Sequence, residues 1–133
     1  MSKKKVMVID DNQEFLEELK EMFSLNGYST VTINDSLLAR EAAILEKPDI
    51  ILLDLKMPGK SGFQVADEIR SFSQLYRVPI IAMTGVFKEN YGPLLNICGI
   101  KKCLKKPFSP LDIIAEIESS LREHAPAKQP LAD

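Results

Sequence analysis

Asp54 closes the apolar run Ile50-Ile51-Leu52-Leu53, and Met57-Pro58-Gly59 follows as a loop signal. A second apolar run, Val6-Met7-Val8-Ile9, ends the same way in Asp10-Asp11. In open α/β sheets the C-terminal ends of strands are where ligands bind. Three carboxylates in one cleft repel one another, and a hard divalent cation relieves the repulsion. Magnesium prefers oxygen ligands, takes one or two carboxylates and keeps several waters. Two further strand-like segments end in polar chemistry: the apolar Val78 to Met83 in Thr84-Gly85, and the less apolar Ile100 to Lys105 in Lys106-Pro107. Carboxylates, a hydroxyl and an ammonium together suit an anion held through a metal ion. A phosphoryl group would complete the shell, with Lys106 pairing to one oxygen and Thr84 hydrogen-bonding another. Asp54, at the centre of the sheet, is the natural nucleophile, because in-line phosphoryl transfer needs mostly positioning and charge neutralisation. Each piece alone has a plainer account. Asp11 or Asn12 serves as a helix N-cap, and Asp54 as a polar residue opening a loop.

The elements that must position these groups alternate strand and helix along the chain. Strands are expected at about 5–9, 28–33, 49–54, 78–83 and 100–105. Asn12 to Asn26 carries Phe15, Leu16, Leu19, Met22 and Phe23 on one face, with Glu14, Glu17, Glu18 and Glu21 elsewhere, and Gly27 as its stop. Asn34-Asp35-Ser36 offers N-cap chemistry for a helix over about 37–46, whose apolar residues are Leu37, Leu38, Ala42 and Leu45. A helix over about 62–72 carries Phe63, Val65, Ala66 and Ile69. Gly92-Pro93 interrupts the next segment, so a short or late helix is expected near 93–98. Pro110 opens the last helix, about 110–123, with Leu111, Ile113, Ile114, Ile117 and Leu121 inward. The fifth strand carries Lys101, Lys102 and Lys105, as an edge strand protected by charge does. Alternation of this kind implies an α/β fold, a parallel sheet with helices on both faces.

The 133 residues fit one domain with a real core. Composition is ordinary for a globular protein, 45% hydrophobic and 27% charged, and the net charge of −2 argues for neither a nucleic-acid binder nor an acidic tail protein, so no direct nucleic-acid partner is expected. No apolar run approaches a membrane span, and the start Met1-Ser2-Lys3-Lys4-Lys5 lacks a signal peptide's apolar stretch. The expected location is cytoplasmic. Cys98 and Cys103 are read as ordinary packed thiols: a reducing compartment disfavours a disulfide, and His124 as the only histidine leaves a zinc site short of ligands. From Ala125 to Asp133 there is no periodicity, which reads as a flexible tail or linker stub.

In these residues the chain resembles a response-regulator receiver domain of two-component signalling. The motifs are Asp10-Asp11 after the first strand, Asp54 within Asp-Leu-Lys-Met-Pro-Gly, Thr84-Gly85 after the fourth, and Lys106-Pro107-Phe108. The resemblance covers about residues 4–124, leaving 125–133 as the tail. It implies a flavodoxin-like, doubly wound five-stranded sheet in the order 2-1-3-4-5, close to the chemotaxis regulators. It implies that Asp54 accepts a phosphoryl group from a histidine kinase or histidine phosphotransfer protein. Asp11 and Asp54 would bind magnesium (or manganese), with Asp10 assisting and the Lys56 backbone carbonyl as a further ligand. Lys106 would contact the phosphoryl group, Thr84 with Gly85 would form the switch, and the Lys106-Pro107 bond would be cis. The product is a signalling switch acting on a downstream partner or output domain, without turnover of an external substrate.

The chain departs from the family pattern at Cys103, where an aromatic residue often reports the switch by swinging inward. Lys56, two residues beyond Asp54, either leans over the site or points to solvent. Lys101, Lys102, Lys105 and Lys106 form either a docking patch or an exposed edge plus one active-site lysine. Three other functions compete for these residues. A dehalogenase-type phosphatase needs a second Asp where Lys56 stands. A flavin binder needs a Ser/Thr/Gly-rich loop where Asp10-Asp11-Asn12-Gln13-Glu14 stands. A phosphorylation-independent interaction module conflicts with the intact set of acidic, hydroxyl and lysine groups.

Overall fold

The computed structural model describes residues 3–123; the expected tail and the boundary at 124 lie outside them. Five strands, β1 (Lys5–Ile9), β2 (Ser29–Ile33), β3 (Ile50–Asp54), β4 (Ile80–Thr84) and β5 (Lys102–Lys105), alternate with α1 (Gln13–Leu25), α2 (Ala39–Glu46), α3 (Gly62–Arg70), α4 (Tyr91–Ile97) and α5 (Pro110–Glu123). All strand pairs are parallel and the order is β2-β1-β3-β4-β5. β3 is therefore central, and β5 is an edge, as its lysines suggest.

Alternation along the strands divides the core in two. Met7, Ile9, Ile51, Leu53 and Ala82 face α2, α3 and α4, meeting Ala39, Ala43, Val65, Ile69 and Leu95. Val6, Val8, Ile50, Leu52, Ile81 and Met83 face α1 and α5, meeting Leu16, Leu19, Phe23, Ile113 and Ile117. A strand buried on both faces must be apolar at every position, which is why β1 and β3 read as unbroken runs. Asn12 caps α1, its Oδ1 accepting from the Phe15 N–H at 3.1 Å. Gly27 follows with φ of +86°, a conformation open to glycine. Ser61 and Gln64 form a reciprocal capping box at the start of α3.

Several expectations are corrected. Residues 36–38 form a 3-10 turn capped by Asp35 before α2 begins. That turn resets the helical phase: Ala39 and Ala43 face the sheet, while Leu37, Leu38 and Leu45 are exposed. Leu111 is also exposed, because it lies about 200° around the helix from the buried Ile113. β4 starts at Ile80 and includes Thr84, since Val78 leaves a 3-10 turn (Ser73–Leu75) by bonding its N–H to the Leu75 carbonyl. β5 starts at Lys102, since the Ile100 N–H bonds the Leu95 carbonyl and closes α4 behind Gly99. α3 ends at Arg70 rather than near 72. α4 starts at Tyr91 and contains Gly92 and Pro93 in its first turn, where a proline has no intrahelical bond to lose. Among the described residues no helix is long and apolar enough to cross a membrane.

Candidate functional site

The parallel sheet aligns its strand ends, so Asp10 (after β1), Asp54 (end of β3), Thr84 (end of β4) and Lys106 (after β5) share one edge. Asp10, Asp11 and Asp54 each bring a carboxylate oxygen within 4.8 Å of the others. Asp10 and Asp54 are buried at 1% and 6% exposure, whereas Asp11 is exposed. Asp10 is fully engaged: Oδ1 accepts the Asn12 N–H at 2.9 Å and Oδ2 pairs with Lys106 Nζ at 2.5 Å. Lys106 Nζ stands 3.8 Å from Asp54 Oδ1, so the ammonium bridges two strand ends.

Burial and the neighbouring Asp10 push the Asp54 carboxyl up to about 6, Lys106 and the Lys56 backbone N–H pull it back, and Asp11 adds a small further rise. A carboxyl raised by burial and then by neighbouring like charges is one whose ionised form a cation would stabilise. The cluster offers only oxygen donors, with no imidazole or thiolate, which fits magnesium or manganese and not zinc.

Thr84 is buried at 3% exposure, and its hydroxyl is occupied by its own loop. Oγ1 donates to the Val86 carbonyl at 2.8 Å and accepts the Val86 N–H at 3.2 Å. Gly85 follows, exposed, and a Cβ there would meet open space. The Lys106–Pro107 peptide is cis. The Lys56 side chain is exposed, and Lys106 is the cation paired with Asp54 among the described residues. Cys103 is half-buried against the α2–α4 side of the core, its thiol pushed up by burial, and it is not disulfide-bonded. Lys102 pairs with Glu116 at 3.9 Å, while Lys101 and Lys105 are exposed.

Two supports were not legible as such. Gly62 reads as an ordinary helix start, yet a Cβ there would lie 2.3 Å from the Asp54 carbonyl oxygen and 2.7 Å from Leu55 Cα. Glycine lets α3 close onto the strand end that carries Asp54. Ser36, which reads as cap chemistry, is buried; its Oγ donates to the Pro58 carbonyl and accepts the Lys60 N–H, pinning the loop after β3. A serine twenty-odd residues away carries no local signal of that role.

The response regulator receiver domain model matches residues 6–118. The chain belongs to the receiver domain family. Receivers are signalling modules of two-component systems. Among solved structures the receiver is similar to the chemotaxis protein CheY4 of Vibrio cholerae, at 24% identity and TM-score 0.86 over 90% of this chain and 99% of that one. A receiver domain protein from Methanospirillum hungatei shares 20% identity and TM-score 0.87 over 92% and 97%. The receiver domain of a sensor histidine kinase from Pseudomonas aeruginosa, solved with magnesium coordinated in its active-site cleft, shares 24% and 0.82 over 91% and 99%. At these identities the likeness is one of fold.

Proposed function

We propose that this receiver is the phosphoacceptor of a two-component relay, with Asp54 taking a phosphoryl group from a phosphohistidine on a histidine kinase or phosphotransfer protein. The observation that carries the reading is Asp54 at the end of the central strand, within 4.8 Å of two more carboxylates and 3.8 Å from Lys106 Nζ. An Asp54 carboxylate oxygen forms the new O–P bond while the P–N bond to histidine breaks, and the imidazole leaves with that electron pair and takes up a proton. Magnesium, when bound, neutralises the carboxylates and the incoming phosphoryl oxygens. Asp11 and Asp54 would hold it through their carboxylates, with the Lys56 carbonyl as a further oxygen donor. Asp10, whose two oxygens are engaged by Asn12 and Lys106, acts through water.

Lys106 then exchanges its pairing with Asp10 for a phosphoryl oxygen. Thr84 exchanges the Val86 carbonyl for another, freeing the loop at Gly85 to report the change. The readout surface serves a downstream partner or output domain. The receiver works as a switch, with no external substrate to turn over. The free thiols of Cys98 and Cys103 fit a reducing, cytoplasmic setting.

Acetyl phosphate with magnesium should add one phosphoryl group to the wild type, seen by intact mass, and none to Asp54→Ala. Beryllofluoride should bind the wild type alone. Labelling that survives the substitution would overturn the assignment.

A further inference from the structure

The Phe15 ring, on the first turn of α1, lies beneath the ammonium of Lys106, with Nζ 4.4 Å from the ring centroid. Lys106 thus has three neighbours. Asp10 Oδ2 accepts one N–H at 2.5 Å, and Asp54 Oδ1 stands at 3.8 Å, beyond hydrogen-bond reach. The ring face covers a further side, and the side chain as a whole is 24% exposed. An aromatic face attracts a cation through its quadrupole without accepting a directed hydrogen bond. It fixes where the ammonium sits and leaves its N–H groups for oxygens.

The ring is itself held. The Phe15 N–H bonds Asn12 Oδ1 at 3.1 Å, and the ring packs edge-to-face on Phe108 at 6.0 Å. Asn12 in turn donates its N–H to Asp10 Oδ1. Asp10, Asn12, Phe15 and Lys106 therefore close a circuit in which the helix cap and the ammonium share one support.

We propose that Phe15 is a positioning residue for phosphoryl transfer: its ring holds the Lys106 ammonium within reach of the Asp54 side of the cleft, so that it can pass from Asp10 to a phosphoryl oxygen. This rests on the reading of Asp54 as phosphoacceptor. Aliphatic side chains of similar size would cover the same space but would not attract the cation, leaving Lys106 paired with Asp10 or drawn to water.

The test compares wild type, Phe15→Leu and Phe15→Tyr in the full chain. Phe15→Leu keeps the apolar volume, and Phe15→Tyr keeps the aromatic face. The rate of labelling by acetyl phosphate with magnesium should fall about 3- to 10-fold in Phe15→Leu and recover in Phe15→Tyr. In a Lys106→Met background, Phe15→Leu should have no further effect on that rate. The Lys106 side-chain methylene protons should show an upfield ring-current shift in wild type and Phe15→Tyr that Phe15→Leu abolishes. This NMR signature needs no phosphorylation, and a general loosening of α1 would not be restored by tyrosine. A wild-type rate in Phe15→Leu, or an equal slowing with Lys106 absent, overturns the proposal alone. A wild type that does not label at all overturns the phosphoacceptor reading, and the proposal with it.

Discussion

Asp54 is held against its own preference for water. Its carboxyl is raised from 3.8 to about 6, mainly by burial and then by Asp10. A raised folded-state value means the folded protein holds its proton more tightly than the unfolded chain does. Stability from this group is complete below about 4 and is lost as pH rises through 6. At pH 7 the ionised side chain costs at most about 3 kcal/mol, the free-energy equivalent of some two pH units. Asp54→Asn should therefore melt higher than wild type at pH 7.5 without magnesium. The gain should shrink as pH falls toward 4, a trend that thermal melts at several pH values would reveal. The same titration predicts that the magnesium needed for half-maximal acetyl phosphate labelling rises as pH drops below 6, since the proton and the cation compete for the Asp54 carboxylate. A melting difference that does not change between pH 4 and 7.5 would contradict the first prediction, and a magnesium requirement that is flat between pH 5 and 7.5 the second.

Two contacts made by α3 govern how β3, β4 and β5 are joined. Arg70, the last residue of α3, donates to the backbone carbonyls of Leu75, Tyr76, Val78, Cys98 and Gly99. One planar guanidinium thus closes the turns before β4 and before β5. Arg70→Ala should cost about 2–4 kcal/mol in chemical denaturation, because half-buried carbonyls lose their donors. Arg70→Lys should recover only part of it, because a point charge cannot reproduce the fork. At the other end of α3, Gly62→Ala should destabilise by about 2–3 kcal/mol, although helix propensity alone favours alanine by about 1 kcal/mol. The new methyl would meet the backbone of Asp54 and Leu55, which cannot rotate away.

These elements also show where reading residues in order succeeds. The central strands and α1 were legible because burial on two faces or one stripe writes a strong pattern. Asp10, Asp54 and Thr84 are legible because each closes or follows such a run, and Lys106 through the Lys106-Pro107-Phe108 motif after the charged edge strand. Leu111 is exposed where an inward position is expected, and the apolar Leu37, Leu38 and Leu45 do not mark the face that packs, since the sheet receives Ala39 and Ala43 instead. Close packing of α2 favours small residues, and the 3-10 turn that sets its phase depends on the Asp35 cap. Phe15 belongs to the α1 stripe that its spacing predicts, but its contact with Lys106 joins residues 91 positions apart in a way no local pattern encodes.

Across the molecule, the acidic cluster stands on a sheet whose two cores meet at β3. Binding a cation there stabilises every element that must be folded to form the site. Magnesium at about ten times its Kd should add roughly 1.4 kcal/mol, raising the melting temperature by about 4–7 °C. Asp11→Asn should blunt the rise. An unchanged melting curve in wild type would argue that the cluster does not select the ion.

All five residues of β3 are buried, whereas residues 85–90, which follow the Thr84 turn, are all exposed. Amides of Leu52 and Leu53 should then exchange with solvent only when the whole protein opens, while those of 85–90 exchange through local openings. The carboxylate that would be modified rides on the slowest clock in the molecule, and the loop that would report the change rides on one of the fastest. A modification at Asp54 can therefore redistribute the loop's conformers many times over without the sheet beneath it ever coming apart.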